Sequence, residues 1–102
     1  MEVHKPVKMP FLGAKSNKGT IIPLVKYTQY FIHTQKRADR AGIREDWIWR
    51  VMINPLREQL QSDGRIRRWG RIEEAEGRIL RVILLNDGET VHNAFFDRGF
   101  KE

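Results

Sequence analysis

The segment Ile79-Leu80-Arg81-Val82-Ile83-Leu84-Leu85 constrains the fold more than any other stretch of the chain. Nearly continuous Ile, Leu and Val over residues 78–85 mark a central strand covered on both faces. Asn86-Asp87-Gly88 follows at once, and Asp-Gly accepts the positive φ of a tight turn, so the chain must double back as a hairpin. Residues 90–96 then form the partner strand. Upstream, residues 65–73 read as a strand bounded by the turn Ala75-Glu76-Gly77, and residues 57–61 as a shorter one before Ser62-Asp63-Gly64. The second half of the chain is a three- or four-stranded antiparallel meander.

Before it the pattern is helical. Residues 29–41 form a first predicted helix, stopped by Gly42, which tolerates the left-handed conformation of a helix end. A second helix spans residues 45–53: Ile48, Val51 and Met52 lie at i, i+3 and i+4, one apolar face, and Asn54-Pro55 ends it. The short Gly-containing junction predicts a two-helix hairpin packed on the sheet, an α+β fold. Residues 20–26 are β-branched enough for a strand, which Pro23 confines to an edge. Residues 1–19 hold two prolines, two glycines and four lysines without either period. They read as a flexible or extended basic arm preceding a single domain over residues 20–102.

A chain of 102 residues buries one core. Its 40% hydrophobic content is too high for wholesale disorder. No apolar run approaches the roughly 18 residues of a membrane span, and the N-terminus lacks the apolar stretch of a signal peptide. No cysteine is present, which removes disulfides, thiolate nucleophiles and Cys-based zinc sites. His4, His33 and His92 have no ligand spacing, so neither metal nor cofactor is expected. A cytoplasmic protein without membrane contact fits these features.

The formal charge of +6 and a sequence pI of about 10.1 point to a polyanionic partner. Residues 1–26 carry +4, residues 27–54 carry +2, and residues 55–102 are balanced. The balanced half nonetheless clusters its cations in Arg65-Ile66-Arg67-Arg68-Trp69-Gly70-Arg71. Alternation along a strand sends Arg65, Arg67, Trp69 and Arg71 one way and Ile66 and Ile72 towards the core. Guanidiniums spaced about 7 Å apart match successive phosphates, and an indole among them can stack on an exposed base. The competing reading is a solvated face whose arginines pair with Glu58, Glu73, Glu74 or Glu76.

Two further groupings carry candidate chemistry. On the first predicted helix, Tyr30, His33, Arg37 and Arg40 fall at i, i+3, i+7 and i+10 and share a face. Imidazole beside guanidinium suits metal-free RNA cleavage, in which a base activates the 2′-hydroxyl and cations stabilise the phosphorane. On the last strand, His92 shares parity with Arg98, and His33 and His92 would form an acid–base pair if the helix packed over that face. Against this stands a plainer reading, in which His33 packs or hydrogen-bonds at a helix–sheet seam and His92 makes hydrogen bonds that pin the strand end. Trp47 and Trp49 flank Ile48 and suit the core.

The run His33-x-x-x-Arg37-x-x-Arg40-Ala-Gly-Ile43, the helix ending at Asn54-Pro55, then Asp63-Gly-Arg65 and a hydrophobic hairpin resemble a family of small bacterial proteins known as a domain of unknown function. Its nearest characterised neighbours are the BrnT-type and RelE/ParE-type toxins. The resemblance covers about residues 27–98. It implies a RelE-like fold, and a metal-free ribonuclease held inactive by a small acidic antitoxin-like protein, although ParE-type members inhibit gyrase and cleave nothing. By position it nominates His33, Arg37, Arg65 and Arg67; His92 is added from strand parity.

Three functions remain open on sequence. The first is a toxin-like endoribonuclease using His33, His92 and Arg37, with Arg40, Arg65, Arg67, Trp69, Arg71 and Arg98 on nucleic acid, RNA favoured over DNA. The second is a non-catalytic nucleic-acid-binding module. The third is a protein-interaction domain anchored by Trp47, Trp49 or Trp69.

Overall fold

The computed structural model describes residues 25–101 and the backbone of residues 7–8. Its strands are β1 (Val7–Lys8), β2 (Lys26–Tyr27), β3 (Arg57–Leu60), β4 (Ile66–Ile72), β5 (Arg78–Leu84) and β6 (Thr90–Phe96). They form one six-stranded sheet in the order β1-β2-β6-β5-β4-β3, five strands of which lie within residues 25–101. Two helices, α1 (Gln29–Thr34) and α2 (Glu45–Ile53), complete an α+β fold. No helix among the described residues is long and apolar enough to cross a membrane.

The meander β3 to β6 is antiparallel throughout, as the turn residues require. The whole sheet is larger than the three or four antiparallel strands expected, and it is mixed. β2 runs parallel to β6, with Lys26 opposite Thr90 and Tyr27 opposite Val91, while β1 pairs antiparallel with β2. The side chains of Val25 and Tyr27 are buried in the core, which leaves their backbone to find partners on β6. Such a pairing joins distant parts of the chain and has no local sequence signal. Of the predicted arm, only residues 7–8 are described, and they pair as β1; residues 20–24 of the predicted edge strand lie outside the described residues.

The first helix is shorter than periodicity suggests. It stops at Thr34, and residues 35–42 run on as turns rather than reaching Ala41. The reason is packing: between Thr34 and the buried Ile43 no side chain reaches the core, and a helix without a buried face is marginal in water. Thr34 also turns its hydroxyl back onto the Tyr30 carbonyl at 2.7 Å, a bond that competes with helix continuation. The expected tight helical hairpin is therefore two helices joined by a ten-residue excursion, residues 35–44.

α2 matches its predicted span and lies across β4 and β5. Register places Ile66, Arg68, Gly70 and Ile72 on its side of the sheet, with Leu84, Val82 and Leu80 opposite the first three. Leu80, Val82 and Leu84 are completely buried. Gly70 lets the helix approach: a Cβ there would sit 2.8 Å from Val51 Cγ2. Arg68 closes the C-terminal end of the helix, donating to the Met52 carbonyl at 2.7 Å while pairing with Glu58 at 2.6 Å. Arg50 ties α2 to the 3-10 turn at Glu73–Ala75 through a two-point contact with Glu74.

Candidate nucleic-acid interface

With the helices assigned to one side, strand alternation sends a second set of side chains to the other. One cross-strand rung there reads Phe95 on β6, Arg81 on β5, Trp69 on β4 and Arg57 on β3. Aromatic and guanidinium groups alternate across four strands. The rung continues at its β6 end, where Arg40 from the residue 35–42 turns lies 5.1 Å from the Phe95 ring centroid. Arg81 sits 5.0 Å from Phe95 and 5.4 Å from Trp69, within the range of cation–π attraction. On one flank of the rung stand Asn93, Ile83, Arg67 and Gln59; on the other, Ile79 and Arg71. These flanking positions are half-buried or exposed.

The segment after β6 folds back across this face. Asp97 accepts from Arg81 Nη2 at 2.9 Å and from the Trp69 indole N–H at 2.9 Å. Phe100 lies 5.6 Å from the Trp69 ring. Arg57 stacks on Phe100 at 4.6 Å and donates to the Lys101 carbonyl at 3.0 Å. Residues 97–101 are thus a strap running from β6 over β5 and β4 to β3. Burial alone would raise the Asp97 carboxyl, but the indole, the Gly99 N–H and Arg81 together outweigh it and hold the group below its ordinary range.

Each residue nominated from sequence now has a place. Arg67, Trp69 and Arg71 share the open face as strand parity requires. Trp69 is only 5% exposed beneath the strap, so its indole is part of the frame and not a bare stacking platform. Arg67 donates to Gln59 at 3.2 Å. Arg71 donates to the Gly77 carbonyl at 3.1 Å. Arg65 precedes β4 and pairs with Asp63 at 3.8 Å. Arg98 is exposed on the strap.

The helical stripe does not persist. Because α1 ends at Thr34, Arg37 and Arg40 leave it; Arg37 is exposed and pairs with Asp39 at 3.5 Å, while Arg40 donates to Asn93 Oδ1 at 2.8 Å. His33 remains on α1 and is exposed. His92 is 8% exposed, stacked under Tyr30 at 4.8 Å, with its Nδ1 3.0 Å from the Thr28 hydroxyl. Thr28 Oγ1 accepts the Phe31 N–H as the N-cap of α1, so its own proton is available to Nδ1. These contacts tie β6 to α1, whereas the plainer expectation from sequence is a strand-end role for His92 and the helix–sheet seam for His33. Alternation from Asn93 on the open face sends His92 to the helix side, and a slip in register beside it, where Ile83 pairs with Asn93 but Leu84 with Val91, leaves His92 as the extra residue of a bulge.

Sequence reasoning passed over Arg57, Arg81, Phe95 and the strap. Cross-strand register would have aligned the first three, but parity within one strand does not. No family model, curated protein or solved structure matches the chain.

Proposed function

We propose that the open sheet face is a nucleic-acid-binding surface, with single-stranded RNA favoured over DNA. The observation that carries this reading is the concentration of Arg40, Arg57, Arg67, Arg71 and Arg81 around one aromatic-bearing face, opposite the helices. Guanidiniums supply sequence-independent phosphate affinity through counterion release, and the half-buried Phe95 and Phe100 among them offer rings to unpaired bases, Trp69 being covered by the strap. Duplex DNA readers usually present a helix to the major groove. Here α1 has six residues and α2 buries Trp47, Ile48, Val51 and Met52 against the sheet, so the sheet is the surface left for recognition. That geometry suits a splayed single strand.

Binding draws more support than cleavage. The proposed acid–base pair needs two accessible imidazoles, and His92 is enclosed between Tyr30 and Thr28. The test is a titration of labelled single-stranded RNA with the full chain over a range of salt. The expected log-log plot is linear, and Arg67→Ala reduces its slope by about one. Lys26→Ala serves as a control, since Lys26 lies on β2, separated from β4 by two strands, and is paired with Glu89 at 2.9 Å. Affinity indifferent to salt, or equal slopes for the Arg67 and Lys26 variants, would sink the reading.

A further inference from the structure

At the C-terminal end of β6 a cleft of about 440 Å³ lies between the residue 35–42 turns, the start of β5 and the strap, taking Phe95 from the open face and Arg78 and Phe96 from the helix side. Its walls combine Arg40, Arg78 and Arg98 with Phe95, Phe96 and Phe100. Ligand pockets begin at about 300 Å³, so the space suits one small ring system with a charged substituent. Two carboxylates also line it, Asp39 and Asp97, and left bare they would repel an anion. Both are already matched: Asp39 by Arg37 at 3.5 Å and Arg40 at 3.6 Å, Asp97 by Arg81 at 2.9 Å. Arg78 and Arg98 are surplus.

Those two arginines are held differently. Arg78 lies 4.1 Å over the Phe96 ring and anchors its Nε on the Ala75 carbonyl at 3.0 Å, which fixes the guanidinium and leaves its terminal nitrogens for a ligand. Arg98 is exposed and makes no ion pair or hydrogen bond among the described residues. An anchored cation beside a solvent-exposed one, next to aromatic walls, matches a flat ring that carries a phosphate.

We propose that this cleft is a nucleotide-binding site, taking the base against the phenylalanine walls and the phosphate on Arg78 and Arg98. The proposal rests on the open-face reading, with which it shares Arg40 and Phe95, and narrows it to an unpaired nucleotide at the C-terminal end of β6. The same chemistry is offered by a free mononucleotide or by the phosphorylated 5′ end of a strand.

Calorimetric titration of the full chain with adenosine and uridine 5′-monophosphates, their nucleosides and inorganic phosphate tests it. The nucleotides bind at least about tenfold more tightly than nucleoside or phosphate alone. Arg98→Ala, at an exposed position that leaves the fold intact, removes most of that advantage. Nucleotides bound no better than phosphate, or unaffected by Arg98→Ala, overturn the proposal. A second arm compares single strands bearing a 5′-phosphate or a 5′-hydroxyl. A preference for the phosphate that Arg98→Ala abolishes identifies a strand end as the ligand, whereas mononucleotide binding without that preference identifies a free nucleotide. Salt-dependent RNA binding that persists without nucleotide binding overturns the cleft alone. Nucleotide binding in a chain that ignores RNA overturns the open-face reading alone.

Discussion

Trp69 and Asp97 are joined by a 2.9 Å hydrogen bond from indole N–H to carboxylate, across a separation of 28 residues. The same oxygen takes Arg81 Nε and Nη2, so one carboxylate pins the strap to β4 and β5. Asp97→Asn keeps the shape but removes the charge. It should cost about 2 kcal/mol, as expected for hydrogen bonds to a charged group. Urea unfolding would register the loss, and the fluorescence of Trp69 should shift to the red as water reaches the indole. An unshifted spectrum with unchanged stability would show that the strap is held elsewhere.

The sign of the pH effect follows from the same contacts. Asp97 is held below its ordinary range in the folded chain, so its contribution is fully present above the unfolded value of about 3.9. It is lost as the pH falls through the depressed folded value. Parent and Asp97→Asn should therefore differ in urea midpoint at neutral pH and converge in acid. Asp87 behaves alike: burial opposes its ionisation, but bonds from Thr90 and Glu89 more than offset this. Asp87 thus adds to acid sensitivity in both proteins without altering their difference. A gap that persists unchanged down to about pH 2.5 would contradict the linkage.

Much of this fold was legible because local chemistry decided it. α2 and β6 have their predicted limits, since Ile48, Val51 and Met52 share a helical face and Asn86-Asp87-Gly88 fixes the hairpin. Asp87 accepts the Glu89 and Thr90 backbone N–H groups there, and Gly88 takes φ 71°. What was not legible depended on distant partners. The β2–β6 pairing, the bulge at His92 and the strap are each set by where another segment packs. The site followed the same rule. Alternation within β4 placed Arg67, Trp69 and Arg71 together, but only cross-strand register adds Arg57, Arg81 and Phe95.

Gly70 is required for approach and not for backbone conformation. Gly70→Ala would place a Cβ 2.8 Å from Val51 Cγ2, and the cost of overpacking should be about 1–3 kcal/mol. Val51→Ala deletes the atom that clashes. The double variant should then lose less stability than the two single changes summed, a favourable coupling readable in a denaturation cycle. Strict additivity would mean that the helix moves away instead.

Thr28 and His92 provide the last test, which bears on any search for catalysis. Thr28 caps α1 through the Phe31 N–H and meets His92 Nδ1 with the same oxygen. Thr28→Ala removes the cap and the hydroxyl that meets the buried imidazole, a loss of about 1–2 kcal/mol; Thr28→Ser keeps the oxygen and should recover most of it. His92→Ala should be destabilising as well, because it empties the space between Tyr30 and Thr28. Loss of an activity in that variant therefore reports on folding unless stability is measured beside it. His33→Ala, at an exposed position, should leave the unfolding midpoint unchanged. RNA cleavage abolished by His33→Ala at full stability would restore the catalytic reading with His33 as its centre. Cleavage indifferent to His33 would remove the histidine mechanism altogether.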